Sequence, residues 1–215
     1  MKILQLRIHN LNSLRGQQEI DFSSTPLSDT GLFAIVGETG AGKTTILDAI
    51  TLALYGRIDR DPDVRGAGKE VMSYGTANCS AEIEFTTTEG IYRSRWERRR
   101  ARNKPDGRLQ PAERTVSRLK STTNQWEFLA EKSSEVDELI PTITGLDYNR
   151  FTRSVMLTQG EFARFLKAKP GDRATLLESI TGTEVYRQLS TAAYEKHQLA
   201  RQAFDELKDR MATLE

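Results

Sequence analysis

The sequence is poor in the side chains that crosslink proteins or hold transition metals. Its 215 residues include one cysteine, Cys79, and two histidines, His9 and His197. A single cysteine excludes a disulfide bond within the chain and suits a reducing compartment such as the cytoplasm. So few thiol and imidazole groups argue against a zinc site built from cysteine and histidine ligands.

Long apolar runs are missing as well. The sequence has no stretch of about 18 apolar residues, so it predicts no helix that spans a membrane. Residues 1–4 carry too little apolar content for a secretory signal peptide. Charged residues make up 28% of the chain and apolar residues 37%, as in a soluble protein. The length allows one domain of about 150 residues and an appendage.

What the sequence does contain is a phosphate-binding loop. Residues 37–44 read G-E-T-G-A-G-K-T, which matches the pattern G-x-x-x-x-G-K-[ST]. Glycines permit the backbone to turn successive N–H groups inward as a cradle for phosphate oxygens. The lysine supplies an ammonium for the β- and γ-phosphates of ATP, and the last threonine a hydroxyl for Mg²⁺. The predicted nucleotide site comprises Gly37, Glu38, Thr39, Gly40, Ala41, Gly42, Lys43, Thr44 and Thr45.

The neighbours of this loop have the expected character. Residues 32–36, L-F-A-I-V, are wholly apolar and predict a buried parallel strand. Residues 46–54 are almost entirely apolar and predict a helix that ends at Gly56. Strand, loop and helix follow one another in the order that a phosphate-binding loop requires.

The other elements divide into strands and then helices. Alternation of apolar and polar residues predicts a small antiparallel element over residues 4–8 and 18–22 that leads into the P-loop layer. It also predicts an antiparallel β-layer beside the P-loop layer, with strands over residues 81–87, 91–99, 115–120 and 126–130. Helical spacing then predicts helices over residues 133–144, 148–159, 161–168 and 172–180. The fold class is therefore α/β, with a mixed sheet around the P-loop helix.

The last 30 residues differ in kind. Apolar and small residues repeat at spacings of 3 and 4, which predicts a coiled-coil helix, with an ordinary amphipathic helix as the alternative. No capping residue ends the pattern at Glu215, so we expect a longer chain. We predict a head lobe over residues 1–182 and the start of a coiled coil over residues 183–215. The repeating positions are Ala193, His197, Ala200, Phe204, Leu207, Met211 and Leu214.

A dense basic stretch accompanies the predicted hairpin. On a hairpin, such residues could grip phosphates and give DNA affinity that depends on salt but not on sequence. A solvated hairpin tip is the alternative. The candidate DNA-binding residues are Arg93, Arg95, Arg98, Arg99, Arg100, Arg102 and Lys104.

The catalytic half of an ATPase site is absent from the sequence. Hydrolysis needs an acidic residue for Mg²⁺, which in P-loop enzymes follows a hydrophobic strand. No run of four apolar residues is followed by an aspartate, and no segment resembles Ser-Gly-Gly-Gln. We therefore predict no catalytic residue in this segment and negligible hydrolysis by the segment alone. Gln159 follows an apolar run and is a candidate for contact with Mg²⁺ and the γ-phosphate.

The segments around these motifs resemble the N-terminal head of the SbcC family, the ATPases of bacterial SbcCD nuclease complexes, which are related to structural-maintenance-of-chromosomes (SMC) proteins and ABC ATPases. The similarity covers essentially the whole chain. Its more specific part is residues 146–184; the remaining matches are M-K-I-L at 1–4, N-L-N-S at 10–13, the phosphate-binding loop and A-L-Y-G at 53–56.

This resemblance implies an ABC-type half-head. The Walker B acid would lie in a C-terminal half, joined through a long antiparallel coiled coil. Two copies of the head are expected to sandwich ATP and Mg²⁺, with an SbcD-type metallo-nuclease near the base of the coiled coil, after about Thr183. Double-stranded DNA is an expected partner and the nucleoid in the cytoplasm the expected location.

The resemblance also assigns individual residues. Gln159 matches the glutamine that contacts Mg²⁺ and the γ-phosphate in this family. Asn10, Asn12 and Ser13 match the position at the strand end near the phosphates. A chromosome-organising SMC-type ATPase without a nuclease partner is the alternative function. A transporter nucleotide-binding domain would have no coiled coil, and the final 30 residues argue against it.

Overall fold

The computed structural model describes residues 1–30, 32–58, 71–154 and 184–212. Two compact units divide the chain, residues 1–149 and residues 150–215. The first unit contains one six-stranded sheet with the strand order β2-β1-β3-β4-β5-β6, in which every pair is antiparallel. The strands are β1 (Lys2–Leu11), β2 (Leu14–Asp21), β3 (Asn78–Thr87), β4 (Gly90–Arg99), β5 (Glu113–Lys120) and β6 (Gln125–Ala130).

Every strand predicted by alternation is present, but the strands form one layer where the sequence suggested two groups. Strand β1 pairs with both β2 and β3, with Ile8 opposite Ala81. The N-terminal hairpin is thereby joined to the hairpin of β3 and β4. Local patterns give each strand its faces but carry no information on which strands are neighbours.

Four α-helices occur among the described residues: α1 (Lys43–Tyr55), α2 (Ser133–Thr144), α3 (Tyr148–Ser154) and α4 (Glu184–Ala212). Helix α1 ends as predicted, because Gly56 adopts the left-handed conformation and its N–H donates to the Leu52 carbonyl at 2.8 Å. None of these helices is long and apolar enough to cross a membrane. The helix predicted over 148–159 is present as α3 up to Ser154, and its residues 155–159 lie outside the described residues, as do the helices predicted over 161–168 and 172–180.

The core of the first unit lies between α1 and one face of the sheet. Leu6, Ile83 and Trp96 point from three strands toward the helix and are at most 1% exposed. Each large apolar side chain buried in this way contributes about 1.5–3 kcal/mol. The hydroxyl of Ser94 donates to the Ala53 carbonyl at 2.6 Å, which ties β4 to the helix. The sheet therefore fixes the position of α1 and of the loop before it.

A buried arginine joins the end of α1 to β5 and α2. The Arg114 guanidinium donates to the Leu54 carbonyl at 2.8 Å and pairs with Asp137 at 2.6 Å. Its side chain is 4% exposed. Nearby, the Tyr55 hydroxyl donates to the Leu146 carbonyl at 2.9 Å, and burial raises the pKa of this tyrosine to about 12. Polar side chains thus hold the far end of the P-loop helix in place.

The predicted buried strand over residues 32–36 is wrong for the described structure. These residues have no strand conformation, and Leu32 and Val36 are 90% and 86% exposed. A strand must pair its backbone N–H and C=O groups with a neighbour. The described strands pair only with one another, so none supplies that neighbour. Phe33 contacts Phe22, with ring centroids 5.9 Å apart.

Helix α4 belongs to the second unit and extends over 29 residues. It occupies most of the segment predicted as the start of a coiled coil. Several apolar side chains along it are exposed, namely Leu189, Tyr194, Leu199 and Phe204. Because these four lie five residues apart, each is rotated by about 140° from the last and they do not share one face of the helix. Of the four, only Phe204 is a position of the predicted heptad pattern. The coiled coil itself, and the division of the chain at residue 183, stay predictions.

Candidate functional site

The phosphate-binding loop ends directly at the start of α1. Gly40 and Gly42 have φ angles of 88° and 93°, in the left-handed region that favours glycine. Gly42 is the N-cap of the helix, and no side chain caps its first turn. The first turn also has no acidic residue. The N–H groups and the positive end of the helix dipole are therefore available to an anion.

Lys43 curls back over the loop. Its ammonium donates to the carbonyls of Gly37 and Glu38, each at 2.7 Å. A mobile cation at this position can exchange neutral carbonyl partners for phosphate oxygens, which form stronger, charge-assisted hydrogen bonds. The two threonines after the lysine differ, since Thr44 is more accessible than Thr45, which is buried. The contact of the Thr44 hydroxyl with Mg²⁺ stays a prediction, and the exposure of Thr44 is compatible with it.

The turn between β1 and β2 lies against this loop. A Cβ added to Gly42 would come within 2.6 Å of Leu14 Cδ2 and 3.1 Å of Ser13 Oγ. Asn12, one residue earlier in the turn, has a φ of 47°. The structure thus brings together two regions that are separated in sequence, the Asn12–Ser13 turn and the glycine loop that leads into α1. These residues fit a triphosphate, because they offer N–H, hydroxyl and ammonium donors around one helix end.

Two arginines of the basic stretch are engaged with carboxylates on the outer face of the sheet. Arg93 pairs with Glu84 at 2.8 Å and lies over the Trp126 ring, 4.0 Å from its centroid. Arg95 pairs with Glu97 at 2.7 Å and Glu82 at 3.1 Å. Partial burial disfavours the charge of Arg95, but the glutamate hydrogen bonds outweigh it, so the net pKa of Arg95 is raised. The charges of these two arginines are therefore balanced by carboxylates of the same chain.

The next arginines surround a cavity beside the end of β4. Its volume is about 860 Å³, and five arginines against two glutamates make its lining basic. Arg98 is only 7% exposed and donates from Nε to the Gln110 carbonyl at 3.0 Å. The side chain of Arg99 is 66% exposed and pairs with Glu113 at 3.1 Å. The charged residues of the lining are Arg95, Arg98, Arg99, Arg100, Arg102, Glu97 and Glu113.

The loop over this cavity is held in one shape. Arg100 donates from its side chain to the Gly107 carbonyl at 2.9 Å. A Cβ at Gly107 would lie 2.3 Å from the Ala101 carbonyl oxygen, so only glycine fits there. Arg102 has a φ of 57°, and its side chain and that of Lys104 are exposed. The seven basic candidates therefore separate into paired, buried and outward-facing residues.

A family model described as an AAA domain matches residues 5–215. The chain belongs to the AAA domain family. This membership indicates nucleotide binding, in agreement with the loop geometry.

Two relatives make the similarity more specific. The SbcC component of nuclease SbcCD from Pseudomonas aeruginosa is 42% identical over 98% of the chain, which spans 18% of that relative's length. A protein of Aquifex aeolicus, named probable DNA double-strand break repair Rad50 ATPase, is 33% identical over 97% of the chain, which spans 20% of its length. The resemblance to SbcC proteins stated from the sequence is confirmed. The chain thus spans about a fifth of these relatives.

A solved structure shows the same fold. The Smc head domain with a coiled coil and joint from Pyrococcus yayanosii superposes with a TM-score of 0.51 and 21% identity, covering 94% of the chain and 36% of that structure. The α/β head fold predicted for this AAA domain chain is thereby confirmed.

The sequence patterns did not identify one residue of the site. Asp48 lies on α1, one helical turn after Thr44, and is 5% exposed. It accepts a hydrogen bond from the Asn12 side chain at 3.3 Å. The only signal in the sequence was a charged residue within the apolar stretch 46–54. Gln159, by contrast, lies outside the described residues, so its role stays a prediction.

Proposed function

We propose that this chain is the ATP-binding half of an SMC-like ATPase head that works with an SbcD-type nuclease on double-stranded DNA ends. One observation carries the proposal. A phosphate-binding loop opens onto a helix start without a side-chain cap, in a chain 42% identical over 98% of its length to the SbcC component of an SbcCD nuclease. The activity, the partners and the DNA substrate of the whole protein are part of this proposal.

Each part of the loop has a role in the proposed site. The N–H groups of residues 40–45 and the Lys43 ammonium bind the β- and γ-phosphates of ATP. Thr44 and Gln159 hold Mg²⁺, which offsets charge on the phosphates when bound. Asn12 and Ser13 face the same phosphates from the turn beside Gly42. These residues position the nucleotide, and none of them supplies the acid that hydrolysis requires.

The rest of the site is proposed to come from other polypeptide. A C-terminal half would add the Walker B acid, and a second copy of the head would close over the nucleotide. The exposed apolar side chains of residues 32–36 support the first of these, because covering them would remove a costly apolar surface from water. The nuclease would bind near the base of α4, where Leu189 and Tyr194 are exposed. The proposed location is the cytoplasm, at the nucleoid.

A chromosome-organising ATPase without a nuclease is the second candidate, because the fold is shared with an Smc head domain. Purification of the intact protein from its own cells separates the two. The nuclease proposal requires a metal-dependent nuclease to co-purify in a fixed ratio. Its absence, with retained ATP binding, would favour the SMC-type function.

We further propose that the rim of the basic cavity is where this chain contacts the DNA backbone. Arg99 and Arg102 line the cavity and are exposed, and Lys104 is exposed on the loop next to them. Arg93 and Arg95, by contrast, are engaged with carboxylates, and Arg98 is buried. Among the described residues, those that line the cavity include no phenylalanine, tyrosine or tryptophan on which a base could stack. Recognition through phosphates alone gives affinity that is independent of sequence and sensitive to salt.

Charge reversal at the rim should weaken DNA binding. We expect the triple variant Arg99→Glu, Arg102→Glu and Lys104→Glu to lower affinity for a duplex at least tenfold at low salt. The slope of log affinity against log salt should fall by about 0.9 for each phosphate contact that is lost. The measurement is a fluorescence anisotropy titration of the intact protein at several salt concentrations.

A matched control carries the same charge change elsewhere. Lys2, Lys120 and Lys132 are basic residues outside the cavity. Reversing these three leaves the rim intact, so DNA affinity should fall less than threefold. Equal losses in both triple variants would show a nonspecific effect of net charge, and no loss at the rim would exclude it as the DNA contact.

A further inference from the structure

The turn that faces the phosphate-binding loop is held by hydrogen bonds from several directions. The Asn12 N–H donates to the Val71 carbonyl at 2.7 Å, and the Asn12 carbonyl accepts from the Ser73 hydroxyl at 3.0 Å. Ser73 is 5% exposed, so this anchor lies inside the protein. Asn12 nevertheless has a φ of 47°, a conformation that costs energy for a residue other than glycine.

Asp48 completes this arrangement from the P-loop helix itself. Its carboxylate accepts from the Asn12 side-chain amide at 3.3 Å and is 5% exposed. Asp48 follows Thr44 by four residues and therefore lies on the same face of α1. A hydrogen bond to a charged acceptor contributes more to stability than one between neutral groups.

The position of this carboxylate is informative. A negative charge one helical turn from a phosphate site opposes the binding of an anion. A carboxylate at this position must therefore stabilise the site in another way, and its hydrogen bond to Asn12 does so. Because Asn12 is bonded to α1, the turn and the helix keep a fixed separation at the loop, where Ser13 and Leu14 lie against Gly42.

We infer that Asp48 is a positioning residue, which holds the Asn12–Ser13 turn beside the phosphate-binding loop, where the turn can contact the phosphates. It acts through Asn12 and does not itself touch the nucleotide. This inference rests on the proposed nucleotide site. Its effect on the turn, however, is present without nucleotide and is measured separately.

The test compares two substitutions of one residue in the intact protein. Asp48→Ala removes the acceptor of the Asn12 side chain and should loosen the turn. In the absence of nucleotide, the backbone N–H of Asn12 should then exchange with solvent about tenfold faster than in wild type. The Kd for ATP should rise about tenfold. Asp48→Asn keeps an oxygen that accepts the same bond and removes the opposing charge, so exchange should stay within about twofold of wild type and the Kd for ATP should not rise. Damage by Asp48→Asn equal to that by Asp48→Ala would overturn the inference, as would no effect of Asp48→Ala.

A second variant guards against a simple loss of folding. Asn12→Ala removes the donor from a half-buried position on the turn and should weaken ATP binding as much as Asp48→Ala does. The double variant should then be no worse than either single variant, because both break the same bond. Additive losses would contradict the inference. If wild type shows no ATP binding, the proposed function fails, while hydrogen exchange still tests the role of Asp48.

Discussion

Lys43→Ala should lower the affinity of the intact protein for ATP about a hundredfold, which corresponds to roughly 2.8 kcal/mol. The ammonium lies over the loop, 2.7 Å from two backbone carbonyls, and is the cation nearest to the helix start along the chain. Its loss removes charge-assisted hydrogen bonds to the phosphates but no buried contact. Isothermal titration with ATP and Mg²⁺ measures the change.

Lys120→Ala is the matched control for this variant. Lys120 is half-exposed and pairs with Glu127 at 2.9 Å, on strands away from the loop. Its replacement removes one positive charge and should change the Kd for ATP by less than twofold. An unchanged affinity in Lys43→Ala would show that the nucleotide binds elsewhere.

Arg114→Met should lower the free energy of unfolding by about 1.5–3 kcal/mol, because it removes the charged donor that bonds the Leu54 carbonyl in the interior. The arginine bonds the Leu54 carbonyl and Asp137, so it connects the end of α1 to α2. Methionine fills similar space without the charge. Urea denaturation followed by circular dichroism measures the loss.

A surface arginine gives the comparison. Arg99 pairs with Glu113 at 3.1 Å, but both side chains are more than half exposed. Such pairs contribute about 0–1 kcal/mol, so Arg99→Met should change stability within that range. A loss below about 1 kcal/mol for Arg114→Met would contradict its role as the link between the two helices.

The sequence predicts the local structure of this protein well because burial imposes a period. On β4, Tyr92, Ser94 and Trp96 face the core while Arg93 and Arg95 face outward, and this alternation is visible in the sequence. The phosphate-binding loop can also be recognised from the sequence, because its function needs glycine at fixed spacing.

What the sequence could not show depends on residues far apart in the chain. Arg7 pairs with Glu82 at 2.6 Å, across a separation of 75 residues, and the order of the strands creates that pair. The same order determines which arginines bind carboxylates of this chain and which face solvent. A list of basic residues therefore overstates the surface that a phosphate backbone can reach.

The misjudged strand at residues 32–36 has a similar origin. An apolar run records that a segment is suited to burial, but it does not identify what buries it. Asp48 shows the same limit for a polar residue. The sequence shows a charge within an apolar helix, but only the structure shows that Asn12 is its hydrogen-bond partner.

The central claim is that phosphates bind at the start of α1. Hydrogen exchange of the intact protein, with and without ATP and Mg²⁺, tests it most directly. The backbone amides of residues 38–45 should exchange more slowly when nucleotide is added, and this protection should vanish in Lys43→Ala. Undiminished ATP binding with no protection at these amides would contradict the claim.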